Sequence, residues 1–142
     1  MNTRPIFALL VSLLFAVMMT GVGCASNSRT VHGRVIAGKA GVVTLVDAKD
    51  PRLDNPGIGG VLVRIMRPGS SITPMAEATA GTDGTFSIKL TERQAMVGRV
   101  EVVASGADIL TCRGSVYVPG DGRRLLIFAE PRRGTAAEDR AR

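Results

Sequence analysis

The chain has 142 residues, a formal charge of +6 and few aromatic side chains, with four Phe, one Tyr and no Trp. This length is enough for one domain with short extra segments, and the lack of aromatics among the basic residues argues against nucleic-acid binding. With a single histidine and two cysteines, the sequence contains no cluster with zinc-ligand spacing. Abundant Gly and short Val-rich runs predict a small β-rich domain with many tight turns.

The first segment has the organisation of a secretory signal peptide. Residues 1–4 form a short positive segment and residues 6–19 form an apolar one. No charged side chain occurs in residues 5–28. Small residues at 20–23 then lead to Cys24. The stretch TGVGC resembles the bacterial lipobox, which implies cleavage before Cys24, a diacylglyceryl thioether on its sulfur and acylation of the new amino group. Several acyl chains would hold the protein durably on a membrane.

Two other interpretations of this segment stay open, because Gly21 occupies the position where the lipobox favours Leu. They are a plain cleaved signal peptide and an uncleaved membrane anchor, since the apolar run is close to the shortest length that spans a bilayer. All three place the folded part outside the cytosol, and the lipid-anchored form would lie in the bacterial cell envelope. By the sorting habit of the lipoproteins that it resembles, Ala25 in place of Asp after Cys24 favours the outer membrane.

The remainder of the chain is predicted to hold one domain. We expect residues 1–23 to be the signal peptide, residues 24–29 a flexible tether, residues 30–131 the folded domain, and residues 132–142 a disordered charged tail. With Cys24 lipidated, Cys112 has no partner for a disulfide and is expected to be a small buried side chain.

Short runs with a period of two recur along the folded part, which predicts half-buried antiparallel strands. Three of the runs are expected to point alternate residues inward: Val61, Val63 and Ile65 in GVLVRIM, Phe86, Ile88 and Leu90 in TFSIKL, and Val100, Val102 and Ala104 in RVEVVAS. The run RRLLIFAE could bury either Leu125 and Ile127 or Leu126 and Phe128. About seven such strands predict an all-β fold, a single antiparallel β-sandwich. The runs in chain order are TVHGRVI, GVVTLVD, GVLVRIM, TFSIKL, RVEVVAS, LTCRGSVYV and RRLLIFAE.

Turn signals separate these runs. Asp-Gly in GTDGT predicts a hairpin between MAEATA and TFSIKL, because Gly84 can adopt positive φ without penalty. VPGDGRR predicts a second hairpin on the same grounds. Thr91 and Gln94 have capping-box spacing, and Gly98 could end a turn, so TERQAMVG predicts one short helical turn.

Four segments, GRV, PGIGGVLVRI, TDGTFSI and RVEVVASGAD, resemble the carboxypeptidase regulatory-like module. This resemblance implies a transthyretin-like (prealbumin-like) β-sandwich. Its motifs consist of turn glycines and core residues, which specify a fold rather than a function. A longer insertion, Ala37 to Asn55, replaces a usually short loop and is the first place to expect a binding surface. The matching positions are Gly33, Val35, Pro56, Gly60, Val61, Val63, Thr82, Asp83, Gly84, Phe86 and Ile88.

Few side chains in this sequence could support catalysis. His32 is the only histidine, and it falls on the polar face of the first predicted strand, so a solvated role is expected. The RGS tripeptide at 113–115 is shared with transthyretin-like 5-hydroxyisourate hydrolases, but the accompanying histidines are missing. Asp47, Asp50 and Asp54 could offer oxygen ligands to Ca²⁺, although their spacing does not follow an EF-hand loop.

The sequence therefore predicts a non-catalytic, lipid-anchored binding or scaffold module of the bacterial cell envelope, with no cofactor and no metal. Its expected partners are the membrane, through lipidated Cys24, and a protein or an envelope polysaccharide, but not nucleic acid. The first alternative is a self-associating structural protein, for which Leu62, Met66 and Val103 would have to face solvent. A remote alternative is a transthyretin-like hydrolase.

Overall fold

The computed structural model describes residues 28–70 and 72–132. The predicted signal peptide, Cys24 and the tail beyond Arg132 lie outside these residues. The described part is all-β, as predicted, with one short helix and one 3₁₀ turn. Its elements in chain order are β1 (Arg29–Ala37), β2 (Val42–Asp47), a 3₁₀ turn (Pro51–Asp54), β3 (Leu62–Met66), β4 (Pro74–Thr79), β5 (Thr85–Leu90), α1 (Glu92–Ala95), β6 (Arg99–Gly106), β7 (Ile109–Tyr117) and β8 (Arg123–Ala129).

The strands form two four-stranded sheets. The first sheet has the order β2-β8-β1-β5, and the second has the order β4-β3-β6-β7. Within the described residues there are thus eight strands, where about seven were expected. The predicted purely antiparallel arrangement is wrong at one pair, since β1 and β8 run parallel with Gly33 opposite Leu125. These strands come from the two ends of the domain, so no short turn forces them into opposite directions.

Alternation along the strands produces a core between the two sheets. Val63 and Ile65 of β3 are fully buried, and Arg64 between them is half-buried, as the period of two predicts. The same core takes Val35 from β1 and Leu125 from β8. Since both sheets contribute inward side chains to one cluster, the arrangement is that of a β-sandwich.

Strand β8 buries both of its faces, which answers the alternative that the sequence left open. Leu125 and Ile127 enter the core between the sheets. Leu126 instead joins Ile36 and Val46 in a second cluster on the outer side of the first sheet. Leu53 and Phe128 pack against this second cluster. The Ala37–Asn55 insertion therefore supplies an edge strand and a cover for the outer face, and does not form a protruding loop.

Both predicted hairpins are wrong. Strand β4 belongs to the second sheet and β5 to the first, so the turn at 81–84 carries the chain between sheets. The local geometry of that turn is as predicted: Gly84 has φ +80°, and the Gly84 N–H donates to the Gly81 carbonyl over 2.8 Å. Strands β7 and β8 are divided between the sheets in the same way. An Asp-Gly turn fixes the local bend, whereas the apolar faces decide where each strand is buried.

The predicted helical turn is present as α1. The Gln94 N–H donates to the Thr91 hydroxyl, and the Gln94 side chain accepts from the Thr91 N–H over 2.8 Å, which completes a capping box. The Gln94 amide also donates to the Met75 carbonyl over 2.6 Å and so attaches α1 to β4. Gly98, at φ +76°, reverses the chain after the turn, as expected.

Candidate functional site

The predicted lipidation residue, Cys24, lies outside the described residues. The first described residue is Ser28, and β1 begins at Arg29, one residue before the predicted domain boundary. Within the described part of the chain, no helix is long and apolar enough to cross a membrane.

The motif residues that carry the family resemblance meet at one junction. The Val35 N–H donates to the Gly84 carbonyl over 2.9 Å, and the Val35 carbonyl accepts from the Ile58 N–H over 2.9 Å. A Cβ on Gly84 would lie 2.7 Å from the Cα of Gly57. The first strand, the segment before β3 and the 81–84 turn are therefore in backbone contact.

Other motif residues serve the same junction. The Gly60 N–H donates to the Ala80 carbonyl, and the Ala80 N–H donates to the Val61 carbonyl, so the start of β3 is bonded to the end of β4. The Asp83 carboxylate accepts from both the N–H and the hydroxyl of Thr85, and these bonds lower the pKa of Asp83. Thr82 and Pro56 are exposed beside them. These residues shape the fold, and none presents a reactive group in a cavity.

The outward side chains of the first sheet form a separate group that we call the polar face: His32 and Arg34 of β1, Thr85 and Ser87 of β5, and Arg124 of β8. Cross-strand register puts His32 opposite Ser87 and Arg34 opposite Thr85. An open depression of about 370 Å³ touches His32, Thr85, Ser87 and Arg124. Guanidinium, imidazole and hydroxyl groups at such a surface can hydrogen-bond sugar hydroxyls or carboxylates.

The pair of Ser87 and His32 is the nearest approach to a nucleophile and base. The Ser87 hydroxyl lies 3.2 Å from Nδ1 of His32, at an exposed position. Activation of a serine also requires a group that orients the imidazole. Between Ser28 and Arg132, residue 71 aside, no carboxylate is hydrogen-bonded to His32. Within these residues the pair forms a cross-strand hydrogen bond on the polar face.

The RGS tripeptide is not brought to His32. Arg113 forms an ion pair with Glu101 at 3.2 Å, and Ser115 accepts a hydrogen bond from Arg99 over 2.8 Å. These side chains occupy the outer side of the second sheet, whereas His32 occupies the outer side of the first. The thickness of the sandwich separates them.

Arg34 links the polar face to the insertion. Its Nε donates to the Asp83 carbonyl over 3.1 Å, and its Nη1 donates to the Leu53 carbonyl. The sequence places Arg34 on an outward position but gives no sign that it binds two distant carbonyls. The guanidinium therefore ties the 3₁₀ turn over the outer apolar cluster to the junction of motif residues.

We expect Arg34→Ala to lower the free energy of unfolding by about 1–3 kcal/mol, because both carbonyls lose a charged donor. The change should also speed hydrogen exchange of the Asn55 N–H, which bonds the Arg52 carbonyl within the 3₁₀ turn. Arg52→Ala serves as the matched control, since Arg52 is exposed and pairs only with Asp50. Equal stability losses in the two variants would contradict this role of Arg34.

Two of the three aspartates of the insertion make separate local contacts, and Asp54 is exposed at the end of the 3₁₀ turn. Asp47 accepts from the Lys49 N–H, and Asp50 caps the 3₁₀ turn and pairs with Arg52 at 2.7 Å. The Arg52 side chain lowers the pKa of Asp50 to about 2. Among residues 28–70 and 72–132, no group of three or more His, Cys, Asp or Glu side chains could hold a metal ion.

Cys112 is buried against the core, as predicted, and is 3% exposed. Burial raises the pKa of its thiol, which disfavours the reactive thiolate. The self-association alternative loses its expected surface, because Met66 and Val103 are buried and Leu62 is half-buried.

No family model, curated protein or solved structure matches this chain.

Proposed function

We propose that this protein is a non-catalytic, lipid-anchored binding or scaffold module of the bacterial cell envelope, and that the polar face contacts an envelope polysaccharide or a protein. The observation that carries the proposal is the combination of a lipobox-like Cys24 with a β-domain that starts at Arg29. Five peptide units span at most about 18 Å, so the anchor would hold the domain against the headgroup layer.

The finer part of the proposal is that the sandwich is of the transthyretin-like, carboxypeptidase regulatory-like kind. Two facing four-stranded sheets are compatible with it. The turn and core positions of the residues that carry the resemblance support it, with Gly60 and Gly84 at positive φ and Val61 and Phe86 in the core. This kind of fold serves many functions, so the binding role depends on the surface.

The polar face supports binding better than catalysis. Its groups are exposed or half-buried, and the depression beside them is open to solvent, so bound water would not be excluded from a reaction there. A surface of this type binds through several hydrogen bonds to an extended ligand. Confinement of the domain to the membrane plane would raise its effective concentration near an envelope partner.

The anchoring part is tested with the full chain and its Cys24→Ser variant, expressed in a bacterium that processes lipoproteins. Intact mass should show the acylated, cleaved form only for the wild type. In detergent phase separation the wild type should enter the detergent phase, whereas the Cys24→Ser variant should lose either processing or membrane retention. A Cys24→Ser protein that is cleaved at the same place and equally membrane-bound would refute the anchor.

The binding part is tested by recovery of partners from solubilised envelope on the lipidated protein. The double variant His32→Ala/Arg124→Ala should reduce recovery of a polysaccharide or protein partner about tenfold, since it removes the two cation-capable groups of the depression. Arg113→Ala, on the opposite sheet, is the matched control. Recovery that is equal for all three proteins would contradict a binding role for the polar face.

A further inference from the structure

The chain enters the domain at one end of the sandwich, and three connections between strands lie at the same end. We call it the anchor end and define it by Arg29, Arg67 and Ile72 of the β3–β4 loop, the turn 91–98, and the loop 118–122. Cross-strand register aligns these positions in both sheets. The pairs at this end are Arg29 with Leu90, Met66 with Pro74, and Arg99 with Tyr117.

Hydrogen bonds join two of the three connections at the anchor end, and the Gln94–Met75 bond attaches the turn 91–98 to β4 just after the third connection. The Val118 N–H donates to the Gly98 carbonyl over 2.7 Å, which ties the loop 118–122 to the turn 91–98. The entering chain lies between them, because Arg29 lines one depression with Met96 and another with Arg123. The surface is therefore continuous around the point at which the tether leaves the domain.

The most exposed large apolar side chains of the described residues are found here. Ile72 is 89% exposed, Met96 is 73% exposed and Tyr117 is 67% exposed. The two others, Val42 and Leu110, are less exposed and are the first residue of β2 and the second residue of β7, at the opposite end. Single apolar side chains are ordinary on a protein surface, but the three most exposed ones all lie at one end of the domain, where a bilayer interface could accept them together.

Positive charge is concentrated at the same end. Acidic side chains at this end are fewer than the basic ones, namely Asp47, Asp50, Glu92, Glu101 and Asp121. Asp50 is already paired with Arg52, and Glu101 with Arg113. At the opposite end, loops and strand ends carry Arg34, Lys39 and Arg132 against Asp83, Asp108 and Glu130, so the two signs balance there. The domain is thus polarised along its length. The basic side chains at the anchor end are Arg29, Lys49, Arg67, Lys89, Arg93, Arg99 and Arg123.

We propose that the anchor end docks directly on an anionic lipid bilayer, with its arginines at the phosphate level and with Ile72, Met96 and Tyr117 in the interfacial layer. The inference rests on the proposed lipid anchor at Cys24, which would keep this end within about 18 Å of the acyl chains. Apolar tips surrounded by basic groups match a surface that is negatively charged and becomes apolar with depth. The docked domain would present its opposite end to the envelope, with the polar face standing alongside.

Tyr117 supplies the probe, because it is the only tyrosine and the chain has no tryptophan. The lipidated protein is reconstituted into vesicles of phosphatidylcholine with or without one-third phosphatidylglycerol, each with a headgroup-nitroxide lipid as quencher. We expect Tyr117 fluorescence to be quenched at least twofold more in the anionic vesicles, and high salt should remove most of the difference. Equal quenching in both vesicles would overturn the proposal, because the tether alone would then account for proximity.

Variants separate docking from tethering. Arg67→Gln/Arg93→Gln and Ile72→Ser/Met96→Ser should each reduce the additional quenching several-fold, whereas Lys39→Gln/Arg132→Gln at the opposite end should leave it unchanged. If protection of Tyr117 from the nitroxide quencher increases with the protein density on the vesicles and does not depend on anionic lipid, a second copy of the protein covers this end. That result would overturn the proposal. Intact mass of the reconstituted protein reports the Cys24 acylation independently, so failure of the anchor and failure of docking are read separately.

Discussion

Gly84→Ala is expected to lower the free energy of unfolding by about 3 kcal/mol or more. Gly84 has φ +80°, a conformation that costs an L-residue about 1–2 kcal/mol. A Cβ there would also overlap the Val35 carbonyl oxygen and approach the Ile58 nitrogen to 2.8 Å. Both neighbours are backbone atoms of the junction and cannot rotate away, so overpacking adds about 1–3 kcal/mol. Chemical denaturation followed by far-ultraviolet circular dichroism measures the change.

Gly122→Ala is the matched control for this prediction. Gly122 has φ +77°, nearly the same backbone conformation, but a Cβ would meet no atom within 4 Å. It should therefore show the conformational cost without the clash, and the difference between the two variants isolates the close approach of Gly84 to β1. Similar losses in both variants would show that the junction tolerates a methyl group and is looser than described.

Gly33→Ala is the second change with a large expected effect, a loss of about 2–3 kcal/mol. A Cβ at this position would overlap the Phe86 ring and lie 2.7 Å from the Leu125 carbonyl oxygen. Phe86 is 5% exposed and packs in the core, and Leu125 belongs to the neighbouring strand β8. The added methyl group must therefore displace the ring or separate the parallel pair of strands. Differential scanning calorimetry should show a lower melting temperature.

A double-mutant cycle tests the cause of that loss. Phe86→Leu removes the ring atoms that face Gly33 and leaves a cavity, which is destabilising by itself. In Gly33→Ala/Phe86→Leu the methyl group should occupy part of that space, so the combined loss should be smaller than the sum by about 1 kcal/mol. Gly120→Ala, where a Cβ meets nothing within 4 Å, controls for the substitution itself. Strictly additive losses would place the strain at Leu125 rather than at Phe86.

Gly33 and Gly84 are among the residues that carry the family resemblance. Their packing roles explain why those residues say little about function. Gly33 makes room for Phe86, while Gly84 allows the 81–84 turn to pass close to Val35 and Gly57. Any protein with this junction would need the same small residues at these positions. The surfaces that could distinguish this protein, the polar face and the anchor end, use other side chains.

The sequence predicted well the features that depend on neighbours along the chain. Alternation correctly assigned the inward residues of β3 and β5, and the capping-box spacing correctly located α1. The same reasoning failed for two connections, GTDGT and VPGDGRR, which were both expected to close hairpins. A turn signal describes four or five residues, but whether the next strand pairs with the last one depends on which sheet needs its apolar face.

Ser87, Arg124 and Arg34 show the same limit at the candidate site. Alternation places Arg34 and Ser87 on outward positions of their runs, whereas it leaves the direction of Arg124 open, because RRLLIFAE could bury either alternate pair. The pairing of strands far apart in the chain decides the actual contacts. It puts Ser87 opposite His32 and lets Arg34 bind the carbonyls of Leu53 and Asp83. Register between distant strands has no local signature that a single sequence could reveal.

The sequence by itself determined the all-β class, the inward positions of most strands, the turn glycines and the expectation of a lipid anchor at Cys24. Each of these depends on residue type and on spacing within about ten residues. The tertiary structure alone decided that β1 and β8 run parallel, that β4 and β5 lie in different sheets, and that exposed apolar and basic side chains collect at the end where the chain enters. Those features arise because two sheets must bury their apolar faces together, a condition that acts on the whole chain at once.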